Sequence, residues 1–261
     1  MKSILHHRRL KWLWLVFVLL CLFVVASIPA NAQGTGVDDR RAAVENGLLP
    51  VYVLDSVPVD EQGRPIDERM ALFGVPGVSI AVINDGEIEW VAGYGVTQAG
   101  TDHPITPETL FQAASISKPI AATVALALVE QGLLDLDTDV NTYLTSWEVP
   151  ETSYTEDSPV TLRLLLSHTA GMTVHGFAGY AAGESVPTLI QVLDGTPPAN
   201  SLPVVVDVRP GQRWRYSGGG YLVMQQVLED VSGVPFSELA SELVLEPVGM
   251  SSSLFVQPLP D

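Results

Sequence analysis

Residues 115–131 read SISKPIAATVALALVEQ, and this segment constrains the chain more than any other. Ile116, Ile120, Val124 and Leu128 recur at every fourth position, along one side of a helix, and Gly132 follows where a helix C-terminus favours glycine. The remaining sides carry Ala121, Ala122, Ala125 and Ala127. A helix that is apolar or small on most sides persists only when other elements surround it. The segment therefore predicts a helix at the centre of a packed domain. Pro119 falls in its first turn, where a missing N–H is tolerated.

Upstream, Val78–Ile83 and Ile88–Ala92 read as strands, and Asn84-Asp85-Gly86 between them is a hairpin signal. A short helix is expected over Ile66–Phe73, ending at Gly74. Thr106-Pro107 has the form of an N-cap followed by proline at the first helical position, which predicts a short helix toward Gln112. Downstream, Asp135–Leu144 and Leu162–Leu166 suggest short helices. Gly171–Asn200 reads as loop with one helix near Thr188–Leu193, and Arg209-Pro210-Gly211 as a turn. Tyr221–Val231 and Phe236–Leu245 are helix candidates separated by residues 232–235. Residues 33–65 carry scattered prolines and weak periodicity, the pattern of a linker or arm. Strands first and helices afterwards indicate an α+β fold. Two strands alone make a marginal sheet, so further strands are expected to pair with them.

The N-terminus is an address rather than a fold. Lys2, Arg8, Arg9 and Lys11 precede an uncharged run from Trp12 to Ile28, and Ala30-Asn31-Ala32 supplies the small residues of a cleavage site. Residues 1–32 thus read as a secretory signal cut before Gln33, which predicts a secreted, periplasmic or otherwise extracytoplasmic protein. Left uncleaved, the same run approaches membrane-spanning length and would act as an anchor. Cys21, the single cysteine, lies inside it, so neither a disulfide framework nor a cysteine-rich metal site is expected. Thirty acidic residues against 13 basic ones argue against nucleic acid as a partner. The signal takes four of those bases and leaves Lys118 as the only lysine.

Lys118 follows Ser115 by three residues, so both lie on one face of the helix start. A serine hydroxyl needs a base to become a nucleophile, and a lysine whose pKa is lowered by burial and by the helix N-terminus can serve. N–H groups at the same helix start can face an oxyanion. The plain alternative makes Ser115 an N-cap and Lys118 a surface residue. Tyr216-Ser217-Gly218 is a second candidate, because a phenol beside a lysine ammonium can be held as phenolate and take a proton from Ser115. Its alternative is a half-buried aromatic followed by a flexible glycine hinge. His168 is expected to anchor a loop by bonding backbone groups, with a Ser-His triad as the competing possibility. Asp135, Asp137 and Asp139 lack the glycine and glutamate of a calcium loop and read as turn and capping acids. No metal site and no cofactor is expected.

Taken together, these segments carry a resemblance. Phe111-Gln-Ala-Ala-Ser115-Ile-Ser-Lys118 resembles the nucleophile motif of the serine β-lactamase and penicillin-binding protein superfamily, above all the class C β-lactamases and their esterase relatives. Leu164-Leu-Leu-Ser-His168-Thr-Ala-Gly171-Met172, Arg209-Pro-Gly211, Tyr216-Ser217 with Tyr221, and Glu246-Pro-Val-Gly249-Met250 resemble later segments of that family, in order. The hairpin from Val75 to Gly95 is similar to its first hairpin. The resemblance implies a β-lactamase/transpeptidase-like fold, an antiparallel sheet flanked by helices and joined to a helical domain, with the site between them and the hydrolase domain covering residues 66–261. It implies Ser115 as acylated nucleophile and Lys118 with Tyr216 as the activating pair, either of them the base, Tyr216 also passing a proton to the leaving group. The substrate class implied is a small ester, a β-lactam or a D-amino-acid peptide of peptidoglycan type. Two departures stand out. Gly218 occupies the substrate-binding position where the family has asparagine, and the third motif, Lys-x-Gly or His-x-Gly, is absent. The later sheet strands that carry that motif are accordingly expected to lie outside this chain. A non-catalytic penicillin-binding module, or an inactive fragment of such an enzyme, is the alternative.

Overall fold

The computed structural model describes residues 35–256 apart from Ala182, so the expected signal over residues 1–32 lies outside the described residues. The chain divides into two units, residues 1–109 and 110–261.

The first unit contains helices α1 (Thr35–Asn46), α2 (Val59–Gln62) and α3 (Ile66–Phe73) and an antiparallel hairpin of β1 (Gly77–Asn84) and β2 (Glu87–Gly95). The hairpin turns at Asp85 and Gly86, with φ of 51° and 82°. Both positive angles define the primed turn whose twist matches paired strands. Residues Val82 and Ile83 straddle a bulge. α3 ends as expected, at a left-handed Gly74. Among the described residues the sheet has these two strands.

α1 corrects the reading of residues 33–65 as linker. It lacks an apolar stripe because its ties to β2 are polar. Arg41 donates to Glu45 at 2.8 Å and the Tyr94 hydroxyl donates to the same carboxylate at 2.6 Å. Arg40 pairs with Glu89, and the Arg41 guanidinium lies 5.6 Å from the Trp90 ring centre. Hydrophobic periodicity cannot report a helix held in this way. The helix expected after Thr106 is instead a turn. Thr109 Oγ1 accepts from the Thr106 N–H at 2.9 Å and Thr106 Oγ1 from Glu108 at 3.2 Å, so the cap chemistry forms without a helix behind it.

The second unit is helical. A 3₁₀ turn, Ala114–Ile116, leads into α4 (Ser117–Glu130), followed by α5 (Leu162–Leu166), α6 (Leu189–Asp194), α7 (Gly218–Ser232) and α8 (Phe236–Ala240), the last continuing as a π-helical turn over Ser241–Leu245. Val124, Ala125 and Leu128 of α4 meet Val223, Met224, Val227 and Leu228 of α7 in one core, with Leu165 of α5 and Leu193 of α6. The central helix is therefore at the centre of its unit. Its apolar stripe starts at Ile120, since Ile116 lies in the preceding turn and is 76% exposed. Thr188 and Gln191 close a reciprocal cap on α6. Among the described residues no helix is long and apolar enough to cross a membrane.

Residues 135–144 form one 3₁₀ turn, Val140–Thr142, rather than a helix. The reason is local competition. Asp135 accepts from the N–H groups of Asp137 and Thr138, and Asp139 accepts from that of Asn141, which offers the backbone an alternative to helical bonds. Asp137 forms a two-bond pair with Arg163 at 2.7 and 2.8 Å. Asp135 and Asp139 thus act as the turn and capping acids expected, while the Asp137 carboxylate is taken up by Arg163.

Candidate active site

Ser115 is the middle residue of the 3₁₀ turn ahead of α4, directly after Ala114, whose φ of 45° is left-handed. A left-handed non-glycine residue is uncommon, and such strain gathers at functional sites. Lys118 sits in the first turn of α4, and its Nζ donates to Ser115 Oγ at 3.2 Å. The N-cap position of α4 is Ile116, without a side-chain cap, so Ser115 does not act as a helix cap. Lys118 is half-buried rather than a surface lysine. Its ammonium lies 4.9 Å from the centre of the Tyr216 ring and 5.6 Å from that of Tyr221.

The two sequence candidates therefore meet in one place. Tyr216 stands in extended chain just before α7, and packing of α4 on α7 brings it to Lys118. Its phenol is held below the ordinary tyrosine value, first by Lys118 and then by Ser115, against a smaller opposing effect of burial. An adjacent cation favours the ionised phenol. The Tyr221 phenol is pushed up, by burial and then by Tyr216, and its hydroxyl donates to the Leu166 carbonyl at 3.3 Å.

His168 anchors the loop as expected. Its Nδ1 accepts from the Ser217 N–H at 3.2 Å, and its carbonyl accepts from the Arg215 N–H at 2.8 Å. Burial lowers its pKa, with the charges of Lys118 and His175 acting the same way. Trp214 and His175 were not legible as part of this cluster. Trp214 lies 6.3 Å from His168, and His175 lies 5.0 Å from Tyr216. The one sequence signal is that Trp214 stands two residues before Tyr216; His175 is remote in the sequence and reaches the cluster through the bond from the Gly218 N–H to its carbonyl.

The glycine triplet is not a hinge. Gly218, Gly219 and Gly220 form the buried first turn of α7, capped by Ser217 Oγ, which accepts from Gly220 at 2.9 Å. The Gly218 N–H donates to the His175 carbonyl and that of Gly219 to the Val174 carbonyl, both at 3.0 Å. A Cβ on Gly218 would stand 3.1 Å from the His175 carbonyl oxygen and 3.2 Å from Phe177. Position 218 thus faces the loop of residues 174–177 and presents no side chain. Among the described residues no group of three or more His, Cys, Asp or Glu is arranged to hold a metal ion.

Comparison with known proteins shows the family and the fold. The family model described as Beta-lactamase matches residues 64–261. Esterase EstB of Burkholderia gladioli is 30% identical over 196 residues, which cover 71% of this chain and 48% of the esterase. Penicillin-binding protein 4 of Amycolatopsis lactamdurans is 28% identical over 180 residues, covering 69% of this chain and 45% of that protein. The octameric penicillin-binding protein homologue from Pyrococcus abyssi superposes with a TM-score of 0.59 at 30% identity, over 71% of this chain and 42% of the homologue. The chain spans about half the length of the curated relatives it matches.

Proposed function

The chain belongs to the beta-lactamase family, whose relatives include an esterase and penicillin-binding proteins, and from that membership we propose a secreted serine hydrolase working through an acyl-enzyme. Ser115 is the nucleophile, and Lys118 with Tyr216 activates it. The observation that carries this reading is the Lys118 donation to Ser115 Oγ at 3.2 Å beside a phenol of lowered pKa.

Tyr216 is assigned as the base of the pair, because the Lys118 ammonium beside its ring favours the ionised form of the phenol and holds its pKa below the ordinary tyrosine value. Ser115 Oγ attacks the substrate carbonyl while its proton passes to the phenolate. The tetrahedral intermediate collapses, and the leaving group departs with a proton returned through Tyr216. A water molecule then attacks the acyl-enzyme, and Ser115 Oγ leaves with a proton as the acid product forms. The substrate class is a small ester, a β-lactam or a D-amino-acid peptide of peptidoglycan type. Secretion rests on the signal-like residues 1–32.

A non-catalytic penicillin-binding module is the second reading, favoured by Gly218, which presents no side chain to a substrate amide. Both are tested by incubating the full chain with a fluorophosphonate probe and with a penicillin, followed by mass spectrometry. Hydrolysis predicts a covalent adduct on Ser115 with both reagents, and release of penicilloate or turnover of a p-nitrophenyl ester. An adduct elsewhere, or none, overturns the enzyme, and reversible penicillin binding without turnover favours the binding module.

A further inference from the structure

The backbone on both sides of Tyr216 is bonded to one residue. The Arg215 N–H donates to the His168 carbonyl at 2.8 Å, and the Ser217 N–H donates to His168 Nδ1 at 3.2 Å. The His168 ring lies on the ring of Tyr216, with centroids 4.4 Å apart and planes tilted by 37°, and against Tyr221 at 5.1 Å. His168 itself has a φ of 58°, an uncommon conformation for a residue other than glycine. In that conformation one residue offers its carbonyl, a ring nitrogen and a ring face to the same three-residue segment.

We infer that His168 is the positioning residue of this site, holding Tyr216 against Lys118 and Ser115 without itself exchanging a proton with substrate. The inference deepens the hydrolase reading and rests on it for the roles of Ser115 and Tyr216. Accepting at Nδ1 requires the neutral ring with its proton on Nε2. Nδ1 is engaged by the Ser217 N–H, so it is not free to take a proton from Ser115. A Ser-His triad would instead need that nitrogen, or Nε2, directed at the nucleophile.

Two substitutions separate the ring from the acceptor. His168→Asn places an amide oxygen near the Nδ1 position and tolerates the left-handed backbone. His168→Phe keeps the ring and leaves the Ser217 N–H without a partner. In the full chain, fluorophosphonate labelling of Ser115 is timed and the Tyr216 phenol is titrated by ultraviolet difference against Tyr216→Phe in the same background. His168→Phe is expected to slow labelling about tenfold or more and to shift the Tyr216 titration upward, as the phenol drifts from the ammonium. His168→Asn is expected to restore labelling to within about threefold of the parent. Should His168→Phe not fold, His168→Ala takes its place with the same two readouts.

Parental labelling and an unshifted phenol in His168→Phe overturn the inference, as does an asparagine variant no better than the phenylalanine one. If the parent chain is not labelled at Ser115 at all, the hydrolase reading fails, and the phenol titration alone decides the role of His168.

Discussion

The Lys118 ammonium lies 4.9 Å from the centre of the Tyr216 ring, and the same ammonium donates to Ser115 Oγ. One cation therefore touches both partners of the proposed proton transfer. Replacing it by Lys118→Met removes the main cause that lowers the Tyr216 phenol. The phenol then ionises at higher pH, closer to the ordinary value of about 10. Fluorophosphonate labelling at neutral pH should fall by about 10²–10⁴-fold and recover in part as the pH is raised. Labelling that is unchanged at neutral pH would remove Lys118 from the activation step.

Gly218→Asn restores the family's residue but does not restore its environment. The new Cβ would stand 3.1 Å from the His175 carbonyl and 3.2 Å from Phe177, so the loop must yield. A loss of about 1–2 kcal/mol is expected from such overpacking, read as a lower thermal midpoint, with no gain in nitrocefin hydrolysis. A variant that melts like the parent and hydrolyses nitrocefin faster contradicts this account.

Asp230 links α7 to the segment after Tyr143. It accepts from the Thr145 N–H at 2.7 Å, from the Ser146 N–H at 2.9 Å and hydroxyl at 2.6 Å, and from Gln226 at 2.9 Å. Burial raises its pKa, but the hydrogen bonds from Ser146, Thr145 and Gln226 win and the carboxyl is held below its ordinary value. A depressed carboxyl contributes stability above the unfolded value of about 3.9 and loses it as the pH falls through the folded value. Because Asp230 is half-buried and solvent screens part of its interactions, Asp230→Asn should cost only about 1 kcal/mol at pH 7. The deficit should vanish in acid. Denaturant melts at both pH values check this, and an equal deficit in acid would assign the effect to geometry rather than charge.

His168 carries the opposite sign. Its pKa is lowered by burial and by Lys118 and His175, so below about pH 6.5 the unfolded chain binds the proton more readily than the folded one. Stability should therefore rise with pH across the window between its folded value and 6.5. In His168→Asn that part of the slope should disappear. Thermal melts between pH 5 and about 8 compare the two chains, and identical slopes would show that His168 does not titrate in folding.

Much of the fold was legible where signals are local. Asp85-Gly86 specified the hairpin, Gly74 ended α3, and Leu162–Leu166 matched α5 residue for residue. Thr188, with its cap on Gln191, marked the start of α6. The misses share another cause. α1 is held by Arg40, Arg41 and Glu45 reaching β2, and polar contacts leave no periodicity to read. Residues 135–144 lose their helix to the carboxylates of Asp135 and Asp139, a competition that composition does not decide.

The same division runs through the site. Ser115 and Lys118 are three residues apart at a helix start, and helical geometry alone puts them on one face, so the sequence by itself determined that pair. Tyr216 is remote in the chain, and nothing local directs it to Lys118. Its place depends on the packing of α4 against α7 and on the two bonds by which His168 holds the backbone around it. The environment of Gly218 was likewise settled by tertiary structure, through the close approach of His175 and Phe177. Contacts between distant segments come from the collective burial of apolar faces and the pairing of backbone groups, and these exist only once the unit has folded.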